Sequence, residues 1–313
     1  MAHVRYRPVA LVLAIAAAAC TGCGSTLNPA PFRQFDVAVR EAQSGLDTAL
    51  DLGVEWEREG RIQELAADSA AVFGSLILEF GAGYAWSLAD TSTYMVMQES
   101  GATLTALTGA LAGYAALLAD VATAELTSPE TFELLSGDLN QGVAEFARAT
   151  RREVNAGGLA LVSTSAGELF RRYIDGRQRD LLRRAIEENQ ESVDEVAGHC
   201  VALVQILRES VKGAYVQRYE PIRARWTDAR VGKRAKPAEE MLNLNDACIQ
   251  ALRMLQELEQ AYRALPAAHA ALAAAAADPG ADVEAIQRLF ESSRRLQRLC
   301  AKLRARTAAL EEE

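Results

Sequence analysis

The chain has 313 residues, 50% of them hydrophobic and 24% charged. That balance excludes an intrinsically disordered polymer and is enough for one or two domains with a real core. About 60 alanines against 8 prolines favour helix over sheet, and a formal charge of −9 argues against nucleic acid as a partner.

At the N-terminus, Arg5 and Arg7 precede an apolar run from Val9 to Ala19 that ends at Cys20, with Cys23 close behind. A basic start, a short apolar stretch and small residues before a cleavage point describe an export signal over residues 1–19. The run is too short for a permanent span, which needs roughly 20 residues. Ala17-Ala18-Ala19 before Cys20, and Thr21-Gly22 before Cys23, resemble the lipobox of bacterial lipoproteins, although neither site has Leu at the third position before the cysteine. The resemblance implies that Cys20, or alternatively Cys23, is acylated and becomes the new N-terminus. With Thr21 or Gly24 rather than Asp next in line, it also implies the outer membrane, facing the periplasm. It covers only this leader and implies nothing about the rest of the chain. Cys20 and Cys23 also spell C-x-x-C, but a redox or metal role would need a strand–helix setting or a second pair.

Residues 20–31 read as the lipidated cysteine and a short tether, and residues 32–313 as one helical domain with an acidic half (32–150) and an Arg-rich half (151–313). Arg33–Glu59 and Arg61–Ala89 are expected to be helical, with a soft break near Gly60. Thr91–Gln98, with Tyr94 to Met97, is ambiguous between helix, loop and a short extended piece, and Ser100–Thr123 is expected to be helical. Pro129 should sit in the first turn of a further helix, and Gly157-Gly158 should bend the stretch after it. No alternating strand pattern stands out. Three seams follow. Ile186, Val193, Cys200, Leu207 and Ala214 recur every seventh residue, with Val196, Leu203, Val204 and Val211 beside them. Met241, Leu244, Cys248, Ala251, Leu255, Leu258, Tyr262 and Leu265 form the second, and Ile286, Leu289, Ser293, Leu296, Cys300, Leu303, Thr307 and Leu310 the third. Asp278-Pro279-Gly280 marks a turn, Pro237 suits a first helical turn, and Pro221 and Pro266 should kink or interrupt their helices. The fold class expected is all-α: an elongated bundle of long antiparallel helices.

Charge divides unevenly, with 5 basic against 18 acidic residues from 24 to 150 and 26 against 24 from 151 to 313. The simpler expectation is that acidic helices pack beside Arg-rich ones; the other is that each meets a different partner. Arg223, Arg225, Arg230, Lys233, Arg234 and Lys236 cluster before Pro237 in what reads as a solvated loop between helices. Glu195 and His199 share a helix face beside Cys200, but a metal site needs more ligands than these, so no metal, cofactor or small-molecule substrate is expected. No nucleophile elbow, Ser/His arrangement or phosphate loop occurs, so the chain is expected not to be an enzyme. Cys248 and Cys300 would lie level across a hairpin centred near residue 274, a little before the turn signal near 279, which makes them the candidate disulfide of an exported protein, with Cys200 to either of them as the other pairing. Residues 100–119 carry no charge and hold Gly109 and Gly113 in G-x-x-x-G spacing, either for close helix packing in a bundle or for entry into a membrane. The function expected is a non-enzymatic, lipid-anchored envelope module that meets a protein partner; the alternative is a membrane-inserting or pore-forming helical protein using residues 100–119.

Overall fold

A computed structural model describes residues 27–67, 78–80, 86–88, 93–124, 137, 141 and 167–311. Among them are five α-helices: α1 (Ala30–Ala67), α2 (Thr93–Thr123), α3 (Gly167–Asp228), α4 (Ala235–Ala277) and α5 (Glu284–Glu311). The protein is an all-α bundle. It also contains one short antiparallel ladder, β1 (Leu78–Phe80) against β2 (Trp86–Leu88), with Glu79 opposite Ser87.

Helix α1 is the centre of the bundle, and each of the other four helices packs on it. Its first turn is capped by Asn28, whose Oδ1 accepts from the Ala30 N–H at 3.1 Å. Phe32, Phe35, Ala38, Val39, Ala42, Leu46, Ala49, Leu50 and Trp56 are buried. Two glycines of α1 lie close against neighbours, and an added side chain would force Leu296 at one and the tip of Gln217 at the other to shift. A Cβ on Gly45 would lie 2.4 Å from Leu296 Cδ2, and one on Gly60 would lie 2.4 Å from Gln217 Oε1. Gly60 therefore does not break the helix as expected; α1 runs through it, because packing on α3 offsets the low helix propensity of glycine.

Side-chain pairs set the directions. Glu41 meets Ser293 and Thr48 meets Arg304, so α1 and α5 run parallel. Asp47 meets Thr105, and Gly101 meets Leu50, so α2 runs against α1. Gln190 meets His269, Arg208 meets Glu259 and Arg225 meets Glu240, so α3 and α4 form a long antiparallel hairpin. The start of α1 and the turn between α4 and α5 thus lie at one end of the bundle, and the loop between α3 and α4 lies at the other.

The predicted seams are the buried stripes of α3, α4 and, from Ile286 to Leu303, α5; the side chains of Thr307 and Leu310 lie outside the described residues. Met241, at the edge of its seam, is only half-buried. The turn at Asp278 is as expected, with Asp278 Oδ1 accepting from the Gly280 N–H at 2.9 Å. Several expectations need correction. Pro221 and Pro266 lie inside continuous helices, so neither interrupts its helix; Pro266 is flanked by the buried Leu265 and Ala268, which hold α4 in the bundle across the lost backbone hydrogen bond. The helix expected over Arg61–Ala89 is helix only to Ala67, and Leu78–Phe80 and Trp86–Leu88 within that range are strands, in keeping with the strand preference of Phe80 and Trp86. The ambiguous segment at Tyr94–Met97 is helical backbone. Residues 1–26, with Cys20 and Cys23, and the features at Pro129 and Gly157-Gly158 lie outside the described residues.

Gly45→Ala is expected to destabilise the fold by about 1–3 kcal/mol, since Leu296 must leave its rotamer. Gly113→Ala, where an added Cβ has nothing within 4 Å, is expected to stabilise by roughly 0.5–1 kcal/mol through helix propensity. Urea unfolding of the two variants measures both, and equal effects would contradict the tight α1–α5 contact.

Candidate functional site: the helical hairpin and its cationic face

The α3–α4 hairpin outruns the rest of the core. Beyond Ala214 on α3 and before Leu244 on α4, no described residue is buried. The 14 residues from 215 to 228 therefore carry the pair about 20 Å further. Polar pairing holds this stretch together. Tyr215 OH donates to Asn245 Oδ1 at 2.7 Å, the Tyr215 and Tyr219 rings stack at 5.6 Å, and Arg225 pairs with Glu240 at 2.5 Å. Arg234 lies 4.7 Å over the Trp226 ring and donates to the Ala229 carbonyl, closing the loop.

Of the predicted basic cluster, Arg223 is tied to Glu220, Arg225 to Glu240 and Arg234 to Trp226. Arg230, Lys233 and Lys236 are exposed and make no ion pair among the described residues. Between them stands Val231, 82% exposed. Six of the eight large hydrophobic side chains exposed among the described residues lie on this hairpin: Ile206, Val216, Trp226, Val231, Leu242 and Ile249. Exposed apolar side chains mark a binding surface where they gather on one part of the molecule, and Val216, Trp226, Val231 and Leu242 all lie on the projecting stretch. Sequence periodicity missed them because it locates the buried stripe and is silent about isolated apolar residues outside it.

A broad cationic face continues down the flank. One groove between α3 and α4, with a volume of ≈ 640 Å³, is lined by Arg208, Lys212, Ile249, Leu252, Arg253 and Arg263 among others. A second, of ≈ 430 Å³ between α4 and α5, is lined by Arg253, Glu257, Arg295, Arg298, Leu299 and Lys302. Arg253 and Gln256 line both, so the two grooves flank α4 as one surface. Glu259 is buried and bonded at 2.5 Å to both Arg208 and Arg263, and Glu257 is bonded to Arg295 at 3.0 Å.

The other candidates lie in or around the core. His269 is fully buried where four helices meet: Phe35 of α1 and Tyr114 of α2 lie with ring centroids 5.8 and 5.7 Å away. Gln190 of α3 directs its Nε2 to Asp194 at 2.7 Å and to the Pro266 carbonyl at 3.2 Å. Its Oε1 therefore faces His269 Nδ1, which donates at 2.9 Å, and the Tyr114 hydroxyl shares its one proton between two acceptors at 3.0 Å, His269 Nε2 and the Ala185 carbonyl. This places the imidazole in a neutral, satisfied network inside the core. Desolvation lowers its pKa to about 3. His199 instead faces solvent, 3.7 Å from Glu195. Among the described residues, no group of three His, Cys, Asp or Glu side chains is placed to hold a metal.

The three helical cysteines are buried free thiols. Cys300 bonds the Thr48 side chain of α1, Cys200 bonds Tyr262, and Cys248 sits near Tyr215. The Cys248–Cys300 disulfide is thus not formed: the α4–α5 turn lies at 278–283 rather than near 274, and Cys300 faces α1 instead of α4. Burial pushes the Cys200 thiol up to about 12. The G-x-x-x-G pair is not a close-packing motif in this fold. Gly113 is exposed, Gly109 has only Gln43 at 3.4 Å from an added Cβ, and the tight glycines are Gly45, Gly60 and Gly101. Residues Gly101–Thr123 of α2 are long and apolar enough to cross a membrane, with mean hydropathy 1.5, and 44% of the apolar window is buried in the bundle.

No family model matches the chain, and neither does any curated protein or solved structure.

An imidazole held near pKa 3 in the fold and near 6.5 when unfolded binds its proton more readily in the unfolded state. Its contribution to stability is complete above pH 6.5 and is lost as pH falls from there toward 3, at about 1.4 kcal/mol per pH unit. Unfolding free energies at intervals from pH 7 to 4.5 should show a slope steeper by about one proton in the native chain than in His269→Gln. Titration of His269 near 6.5 by NMR would contradict this burial.

Proposed function

We propose that the chain is a lipid-anchored lipoprotein of the bacterial cell envelope that acts without catalysis, presenting a helical surface to a protein partner. The observation that carries the reading is the concentration of exposed apolar side chains on the projecting α3–α4 hairpin. Folding alone would favour polar residues there, since Val231 and Leu242 touch water rather than core. Polarity of the bundle supports it too. The leader read as a lipidation signal enters at the start of α1, and the hairpin loop lies at the opposite end. Helix α3 alone, with 62 residues, spans about 90 Å. An acyl chain on Cys20 or Cys23 would hold one end at the outer membrane while the cationic loop reaches into the periplasm.

The second reading, membrane insertion through α2, draws on the hydropathy of Gly101–Thr123. Insertion would sacrifice the bond from Tyr114 to His269, the bond from Gln178 to the Val121 carbonyl, and the packing of Leu111 and Leu118. We therefore favour α2 as a structural helix.

Mass spectrometry and membrane fractionation of Cys20→Ala and Cys23→Ala should show that one of them loses both acylation and membrane retention. If both keep the acyl mass, the lipoprotein reading fails. A photo-crosslinking residue at Val231 or Leu242 should give a discrete protein adduct in intact cells, while the same residue at Glu187 should not. Identical patterns from all three positions would remove the hairpin as the binding element. In the same series, dye-loaded liposomes should stay sealed with the purified chain; leakage altered by Gly109→Leu with Gly113→Leu would instead establish the α2 reading.

A further inference from the structure

We infer that the face over α4, flanked by the two grooves, is a docking site for an acidic amphipathic helix of a protein partner. This rests on the reading of the chain as an interaction module and names the chemistry of what one of its surfaces takes. Seven cations line the paired grooves: Arg208, Lys212, Arg253, Arg263, Arg295, Arg298 and Lys302. Only two carboxylates do, and both are already engaged, Glu259 with Arg208 and Arg263, Glu257 with Arg295. Lys212 pairs with Glu209. Arg253, Arg298 and Lys302 are exposed and make no ion pair among the described residues. In a chain of formal charge −9 this surplus of one sign is local, and it selects an anionic occupant.

Shape and polarity narrow the choice. The cations do not converge on a point, as they would around a small phosphate-bearing ligand. The groove lining follows α4 from Ile249 to Arg263, 14 residues apart or about 21 Å along the axis, which matches four turns of a partner helix, and Arg253 and Arg263 stand about 15 Å apart along it. Between the cations the lining mixes the apolar Ile249, Leu252 and Leu299 with Gln205, Gln256 and Gln260. Ile249 is 47% exposed, and Leu252 and Leu299 are half-buried. The lining runs lengthwise along α4, which suits a rod-shaped occupant. A helix laid along the groove places leucine-like side chains on these apolar residues and carboxylates against the cations, with anchors at i, i+3, i+4 and i+7. The ion pairs of Glu259 hold Arg208 and Arg263 in place beforehand, which lowers the ordering cost of binding.

The test uses the full chain with Cys20 and Cys23 replaced by Ser, and a fluorescent peptide of about 18 residues with leucines at helical spacing and glutamates between them. A control isomer has the same composition with its leucines alternating. The helical-pattern peptide is expected to bind at least about tenfold more tightly than the isomer, and to weaken about tenfold or more in roughly 0.5 M salt. Arg253→Glu with Arg298→Glu should abolish binding, and Ile249→Asp should weaken it, with the thermal midpoint unchanged because all three residues are exposed. Equal binding of the two peptides, or binding of neither, overturns the proposal. So does capture by phosphatidylglycerol vesicles that the double variant loses when the peptide does not bind, which would assign the face to a membrane. Absence of peptide binding together with discrete Val231 crosslinks in cells would leave the module reading standing while this docking site falls.

Discussion

Helix α1 must offer a packing surface on almost every side, and the rest of the bundle is arranged around that demand. A helix touched by four others cannot keep a broad polar face, which is why Ala38, Ala42, Gly45 and Ala49 alternate with Phe35, Val39 and Leu46 along it. Small residues admit the backbones of neighbours, and large ones fill the spaces between them. The remaining polar atoms of α1 lie at the edges between helices, where Glu57 meets Ser210, Glu59 meets Arg218 and Glu41 meets Ser293. Once α1 is enclosed, α3 and α4 need only one apolar stripe each. They can therefore continue past the core as a two-helix projection.

The same arrangement sorts the charge. The acidic first half and the Arg-rich second half are adjacent layers of one bundle, since the carboxylates of α1 meet side chains of α3 and α5. That accounts for part of the imbalance along the chain. It leaves the outward face of α3, α4 and α5 with more cations than carboxylates, and Glu257 and Glu259 serve mainly to position them. Surface ion pairs of this kind contribute little to stability, typically below about 1 kcal/mol, so their consequence lies in recognition. The buried node at His269 has the opposite character. It joins α2, α3 and α4 through neutral hydrogen bonds and helps to align them.

The long seams were legible in the sequence because burial along a helix recurs at a spacing that any reader can measure. Ile186 to Ala214 and Leu244 to Leu265 are the buried stripes expected. Turn chemistry at Asp278 was legible for a similarly local reason. Less could be read where the deciding partner is distant. Gly60 looks like a break until Gln217 is seen against it. Gly109 and Gly113 have the spacing of a packing motif, yet Gly45 and Gly60 make the contacts, because spacing along one helix does not say which face its neighbour occupies. Cys248 and Cys300 share seam positions, but their thiols point to different helices.

The amino-acid sequence by itself determined the all-α class, the three seams and the turn that joins the last two helices, since propensity, periodicity and turn chemistry act within a few residues. Its leader also carries the lipobox-like pattern from which the proposed envelope address comes. Only the tertiary structure decided that α1 lies at the centre, that His269 is neutral and satisfied, and that cations from three helices gather over α4. Those outcomes depend on which faces meet across tens to hundreds of residues, and that is set by the joint packing of all the helices rather than by any one of them.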